Sequence, residues 1–144
     1  MPFVLEETTT QDIDQSHIVR RIDDWADRIN TLYDNISAWL PAGWAAHRSG
    51  SVRMHEEPMR KFGVAPLDLP VLQLSSESGV SGRLEPRGLW IIGANGRLDF
   101  FLGKQHYVIV DAAENLEPPK WQIAPFSDRQ ELKPLNSSTL GAIL

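Results

Sequence analysis

The sequence predicts an α+β protein in which a long N-terminal amphipathic helix packs on an antiparallel β-meander sheet, with a short C-terminal helical turn. Three observations support this fold class. Apolar residues recur at helical spacing across residues 18–39, short apolar runs separated by turn residues fill residues 67–125, and a capping residue precedes an apolar end within residues 126–144. The length of 144 residues fits a single domain.

The long helix is predicted over residues 14–40. Its apolar residues lie alternately four and three positions apart, which is the pattern of a helix that buries one face along its length. Pro41 and Gly43 end it. The apolar seam consists of Ile18, Ile22, Trp25, Ile29, Leu32, Ile36 and Trp39. The same spacing allows two arrangements: a helix covering the chain's own sheet, or a homodimer in which the 18–39 helix seam pairs with that of a second chain.

The remaining segments follow from turn and strand signals. The sequence predicts an N-terminal arm over 1–13, an irregular connection over 41–66, an antiparallel sheet over 67–125, and a C-terminal loop with a short helix over 126–144. Within the sheet, residues 88–92 are predicted to form a strand that turns back at Asn95 and Gly96. An Asn-Gly pair between apolar runs is the strongest short-range hairpin signal.

The net charge of −5 belongs to one part of the chain. Residues 1–40 contain eight acidic and three basic residues, whereas residues 41–144 contain equal numbers of both. The acidic residues of the helix fall outside its apolar seam, so we expect an acidic face that attracts a basic protein partner. Trp44, just beyond the helix, would add an aromatic anchor. The predicted partner-binding residues are Asp23, Asp24, Asp27, Asp34 and Trp44.

Composition excludes several classes of site. The chain has no cysteine, which excludes disulfides, thiolate metal sites and cysteine nucleophiles. No apolar run is long enough to cross a membrane and the N-terminus lacks the features of a secretory signal, so a cytoplasmic protein without membrane contact is predicted. The four histidines are scattered, and no phosphate-binding or dinucleotide motif is present, so neither a metal nor another cofactor is predicted.

A nucleic-acid partner is not favoured by the charge balance. The isoelectric point of about 5.3 lacks the basic excess of a dedicated nucleic-acid-binding domain. Three arginines of the predicted sheet could form a local basic patch, but acidic residues on neighbouring strands are expected to neutralise them. The arginines are Arg83, Arg87 and Arg97, and the acidic residues are Glu85 and Asp99.

One pair of strands carries a possible catalytic pattern. Residues 96–102, followed by residues 107–113, resemble the hairpin of the PD-(D/E)xK nuclease fold, in which acidic residues on neighbouring strands bind a divalent metal. The resemblance implies a metal-dependent phosphodiester hydrolase with Asp99 and Asp111 as the catalytic acidic residues. Ala113 stands where that family has a lysine.

The sequence therefore leaves three functions open. The favoured one is a small non-catalytic regulator of the inhibitor, immunity or antitoxin type, which docks its acidic helix face on a larger, basic or nucleic-acid-handling protein. The first alternative is the metal-dependent hydrolase that the nuclease resemblance implies. The second is a homo-oligomeric structural or assembly subunit that uses the helix seam between chains.

Overall fold

A computed structural model describes residues 2–91, 93–114 and 116–144, with side chains from Gln15 onward, and it confirms the predicted α+β fold. Three helices, α1 (Pro2–Trp39), α2 (Glu57–Lys61) and α3 (Ser137–Ile143), accompany one antiparallel sheet. The strands are β1 (Trp44–Met54), β2 (Leu67–Ser76), β3 (Ser81–Gly88), β4 (Arg97–Leu102), β5 (Gln105–Asp111), β6 (Trp121–Pro125) and β7 (Lys133–Pro134). None of the described helices is long and apolar enough to cross a membrane.

The sheet is a meander in which spatial order follows chain order. Each strand pairs antiparallel with the next one, from β1 at one edge to β7 at the other. Successive side chains of a strand point to opposite faces, so the sheet has two chemically distinct surfaces. One surface carries the apolar residues that pack against α1, and we call the other the open face.

The apolar seam of α1 is buried against the α1-facing side of this sheet. Ile18, Ile22, Trp25, Ile29, Leu32 and Ile36 are each at most 7 % exposed and belong to one continuous core. Opposite them in the core lie Leu72, Leu84 and Phe100 from successive strands. Because the seam is already filled by the chain's own sheet, it is not available to form the homodimer through residues 18–39 that the spacing also allowed.

The helix α1 begins earlier than the sequence predicted. Its backbone is helical from Pro2, so the segment predicted as an arm over residues 1–13 continues the helix. Proline is well tolerated in the first turn of a helix because its missing N–H would have no helical partner there. No glycine or further proline interrupts the chain between Pro2 and the buried seam.

The predicted irregular connection over residues 41–66 is mostly regular structure. It contains the eleven-residue strand β1 and the short helix α2. Gly50 suggested a break, but with φ +85° it occupies a bulge inside β1, where the register with β2 shifts between Arg48 and Ser51. A β-bulge inserts an extra residue without ending the strand, which explains why the glycine misled the prediction.

The hairpin predicted at Asn95 and Gly96 is wrong. The strand that pairs with β4 is β3, over Ser81–Gly88, and not residues 88–92. Asn95 and Gly96 serve tertiary packing instead: the buried Asn95 side chain accepts a hydrogen bond from Arg21 Nη2 at 2.7 Å, and Gly96 lies against the ring of Trp25. A turn signal read from the sequence cannot reveal that the helix needs the same two residues.

The C-terminal helix α3 forms where the sequence predicted it. Asn136 caps it: the Asn136 side chain accepts hydrogen bonds from the backbone N–H groups of Ser138 and Thr139, both at 3.0 Å. The Thr139 hydroxyl in turn accepts the Asn136 N–H at 2.9 Å, which completes a capping box. Leu140 from this helix is buried in the core.

Candidate functional site

The outer face of α1 carries the predicted acidic residues, but they differ in how far they are neutralised. Asp23 and Asp27 are exposed, and among the described residues neither has a cation within ion-pair distance. Asp34 is exposed but accepts a hydrogen bond from Arg48 Nη2 at 2.9 Å. Asp24 is half-buried and pairs with an arginine one turn further along α1. The free negative charge of this face therefore lies at Asp23 and Asp27.

That arginine, Arg28, is buried and ties α1 to the loop between β5 and β6. Its Nη1 donates to Asp111 Oδ2 at 2.7 Å, and its Nη2 donates to the carbonyl oxygen of Glu117. The other carboxylate oxygen of Asp111 accepts two backbone N–H groups at 2.9 Å, those of Ala113 and Lys120. Asp111 is fully buried, so it acts as a structural anion that holds the loop and the helix together.

The loop that Arg28 holds borders a surface groove along α1, with a volume of about 320 Å³. Leu116 lines it with 41 % of its surface exposed and with φ 65°, the left-handed region that favours glycine. The exposed Asp27 and Glu117 also line the groove, and two prolines follow Glu117. We call this feature, formed by Asp27, Leu116 and Glu117, the acidic groove. Asp23 lies one helical turn before it.

The two acidic residues of the nuclease resemblance lie on opposite faces of the sheet. Asp111 shares the α1-facing side with Ile109, two positions earlier on β5, and contacts Arg28. Asp99 pairs with Val108 on the open face. A single metal ion cannot bridge carboxylates that a sheet separates, and among the described residues no three potential ligands converge. The structure does not bring together the pair that the resemblance requires.

The open face carries a stack of rings and guanidinium groups across β3, β4 and β5. His106 is sandwiched between Phe101 and Phe126, with ring centroids 4.4 Å and 4.3 Å away. Arg83 lies 4.9 Å from the Phe101 centroid, and Arg129 lies 4.2 Å from the Phe126 centroid. Stacked arginines of this kind are attracted to the electron-rich ring faces, so the ladder stabilises the open face without apolar cover from a second layer.

The charges of this face are paired internally, as the sequence predicted. Asp99 is almost fully buried and accepts two hydrogen bonds from Arg97, at 3.1 Å and 2.7 Å. His106 Nε2 lies 3.3 Å from the same Asp99 oxygen, and Arg87 Nε lies 3.9 Å from the other. Arg83 pairs with an acidic neighbour, Glu85, at 3.1 Å. The structure therefore shows a neutralised surface where an unpaired basic patch would be needed for nucleic acid.

The strands β2 and β3 pair only over part of their length. Their register runs from Leu72 opposite Leu84 to Ser75 opposite Ser81, and beyond Leu72 the two strands separate like a fork. The buried Tyr33 of α1 closes the base of the fork, because its hydroxyl donates to Pro70 O at 2.8 Å and also lies 3.3 Å from Leu84 O. Burial raises the pKa of Tyr33 above its ordinary value, so the hydroxyl remains a donor.

Replacing Tyr33 by phenylalanine should lower the free energy of unfolding by about 1–2 kcal/mol, because two strand carbonyl groups lose their shared donor. The matched control is Tyr107→Phe, since the Tyr107 hydroxyl bonds only the exposed side chain of Gln105 among the described residues. We expect that control to stay within about 0.5 kcal/mol of the wild type. Urea denaturation followed by circular dichroism measures both, and equal effects would show that Tyr33 does not hold the fork.

Trp44, predicted as an exposed aromatic anchor, is half-buried. It begins β1 opposite Ser76 and packs against the edge of the core. Its carbonyl-side neighbours are exposed, so part of the indole remains at the surface. A role for Trp44 in partner binding stays a prediction.

Sequence reasoning missed the features that depend on contacts between distant segments. Arg28 carries one signal, the i,i+4 spacing from Asp24, but its partner Asp111 lies 83 residues away. Leu116 has no sequence signal at all, because a lone leucine in a loop is ordinary. Comparison of the chain with protein-family models, with curated proteins and with solved structures finds no match.

Proposed function

We propose that the protein is a non-catalytic regulator of the inhibitor, immunity or antitoxin type, and that it binds a larger basic protein through the acidic groove. The observation that carries the proposal is Leu116, an exposed apolar side chain with a left-handed backbone, set beside the acidic Asp27 and Glu117. Such a backbone costs about 1–2 kcal/mol for a residue other than glycine. Residues in costly conformations cluster at functional sites, where the surrounding structure enforces them.

The surrounding structure supplies that enforcement here. Arg28 donates to the carbonyl oxygen of Glu117, the residue next to Leu116, while its guanidinium is anchored on Asp111. The loop is thus fixed in place before any partner arrives, which lowers the entropic cost of binding. A rigid apolar side chain at the centre of a polar rim has the anatomy of a binding hot spot.

Charge gives the proposed partner its sign. Asp23 and Asp27 are the aspartates of this helix face that no described cation neutralises, and Glu117 extends the negative rim onto the loop. Like-signed charges around a groove steer an oppositely charged partner and raise the association rate, with an effect that falls as salt rises. A basic partner, including one that normally holds nucleic acid, satisfies this requirement.

The proposal predicts which substitutions abolish partner capture. The immobilised wild-type chain should retain a basic protein from an extract of its native host, and the retained amount should fall as salt rises from 50 to 500 mM. The double variant Asp23→Asn with Asp27→Asn should weaken retention at low salt about tenfold or more. The variant Leu116→Ala should weaken it at all salt concentrations, because it removes an apolar anchor. Quantitative mass spectrometry of the eluates measures each effect.

Matched controls separate docking from general damage. Val80→Ala removes an apolar side chain that is 40 % exposed at the β2–β3 turn, and Asp34→Asn removes an acidic residue that Arg48 already neutralises. Both controls should retain the partner as the wild type does. If every protein that the wild type captures is captured equally by the Asp23/Asp27 and Leu116 variants, the acidic groove is not the docking site.

A further inference from the structure

The space between the separated strands β2 and β3 is a cavity of about 350 Å³. Its base is closed by Tyr33, and its far end is closed by Glu56 at the start of α2. The Glu56 carboxylate accepts the backbone N–H groups of Leu89 at 2.9 Å and Trp90 at 3.1 Å, which bridges the segment after β1 to the segment after β3. Hydrogen bonds at both ends therefore hold the fork open as a preformed cavity of a size that accepts a small molecule.

Trp25 of α1 lines this cavity and carries an unmet hydrogen-bond donor. Its side chain is fully buried, and within the described part of the chain its indole N–H has no acceptor. The ring cannot turn to find one, because Gly96 lies against one edge and the Trp121 ring packs 6.1 Å away. An unpaired buried donor is costly, and buried donors in native proteins are almost always paired. The missing partner is a group that accepts.

The other polar groups of the cavity show the charge of that acceptor. The carboxylates of Glu56 and Glu85 are already bonded, the first by two backbone N–H groups and the second by Arg83. Arg53 and Arg87 are only loosely held: their nearest carboxylate oxygens lie 3.5 Å and 3.9 Å away. Their side chains are also 72 % and 67 % exposed, so both guanidinium groups are free to turn toward an anion at the rim.

The remaining walls are apolar. Val52 and Met54 of β1 and Leu69 of β2 line one side, and Pro86 of β3 lines the other. From these contacts we infer that the cavity binds a small organic carboxylate, whose anionic group accepts from the Trp25 indole and from the arginines while its apolar body rests on these side chains. Arginine forms its strongest hydrogen bonds with carboxylates, and a few placed polar groups in an apolar cavity are typical of ligand sites. This inference is independent of the acidic groove.

The indole N–H of Trp25 offers a direct readout. The five tryptophans give five indole resonances in a ¹⁵N-labelled sample, and the one belonging to Trp25 is assigned with the variant Trp25→Phe. Titration with benzoate and with 4-methylpentanoate should shift that resonance in a saturable manner. Benzamide, which has the shape of benzoate without its charge, should bind at least fivefold more weakly.

Two arginine variants test the recognition of charge. Arg53→Gln combined with Arg87→Gln should weaken carboxylate binding at least fivefold, and because both side chains are largely exposed the fold should be retained. The matched control Arg129→Gln removes an exposed arginine of the open face and should leave binding unchanged. The inference is overturned if neither carboxylate shifts the Trp25 resonance, if benzamide binds as tightly as benzoate, or if the double variant binds as the wild type does.

Discussion

Replacement of Arg28 by methionine should lower the free energy of unfolding by about 3–5 kcal/mol, the range for removing one partner of a buried ion pair. The reason is the position of Asp111, which is fully buried and faces the Arg28 guanidinium at 2.7 Å. Without that cation the carboxylate keeps two backbone donors but no countercharge. The loop also loses its bond from Arg28 to the Glu117 carbonyl.

Two companion variants show whether burial is the cause. Arg53→Met breaks an ion pair of 3.5 Å whose side chains are 72 % and 60 % exposed, and such a pair contributes at most about 1 kcal/mol. Arg28→Met combined with Asp111→Asn should recover part of the loss, since no uncompensated charge remains. Urea denaturation compares the three. If Arg28→Met costs no more than Arg53→Met, the Arg28–Asp111 pair is not buried in solution.

Substitution of Gly96 by alanine should lower the free energy of unfolding by about 2–4 kcal/mol, from backbone strain and overpacking together. A Cβ atom at Gly96 would lie 2.3 Å from Cζ3 of the Trp25 ring, and the residue has φ +110°. The ring is enclosed by Trp121 and the core, so it cannot move aside. Thermal and urea denaturation measure the loss.

Gly93 supplies the control for the strain alone. It has φ +84°, but a Cβ there would meet nothing within 4 Å. Gly93→Ala should therefore cost only about 1 kcal/mol, the conformational part of the effect. A Gly96→Ala variant that unfolds no more easily than Gly93→Ala would mean that Trp25 does not pack on Gly96.

The sequence predicted those parts of the fold whose signals are local. The seam from Ile18 to Trp39 names a buried helix face because its spacing can be read directly. The strands β4 and β5 follow from short apolar runs between turns. The extent of β1 could not be read, since Gly50 in a bulge and a glycine that ends a strand have the same letter.

The candidate site could be predicted only in outline. Helical geometry places Asp23 and Asp27 outside the seam, and the structure does expose them. For Asp99 and Asp111 the sequence supplies the residue type but not the side of the sheet. Which face a strand residue occupies depends on its phase, and a strand such as β5, apolar in successive positions, hides that phase.

The two outer strands of the meander also determine how the protein behaves beside other copies of itself. An unpaired strand edge presents free N–H and C=O groups that can recruit a strand from another chain. Here β1 is interrupted by its bulge at Gly50 and carries Arg48 and Arg53, while β7 has only two residues, one of them Pro134, which lacks an N–H. Both edges therefore resist the edge-to-edge pairing that leads to aggregation, although the sheet is seven strands wide.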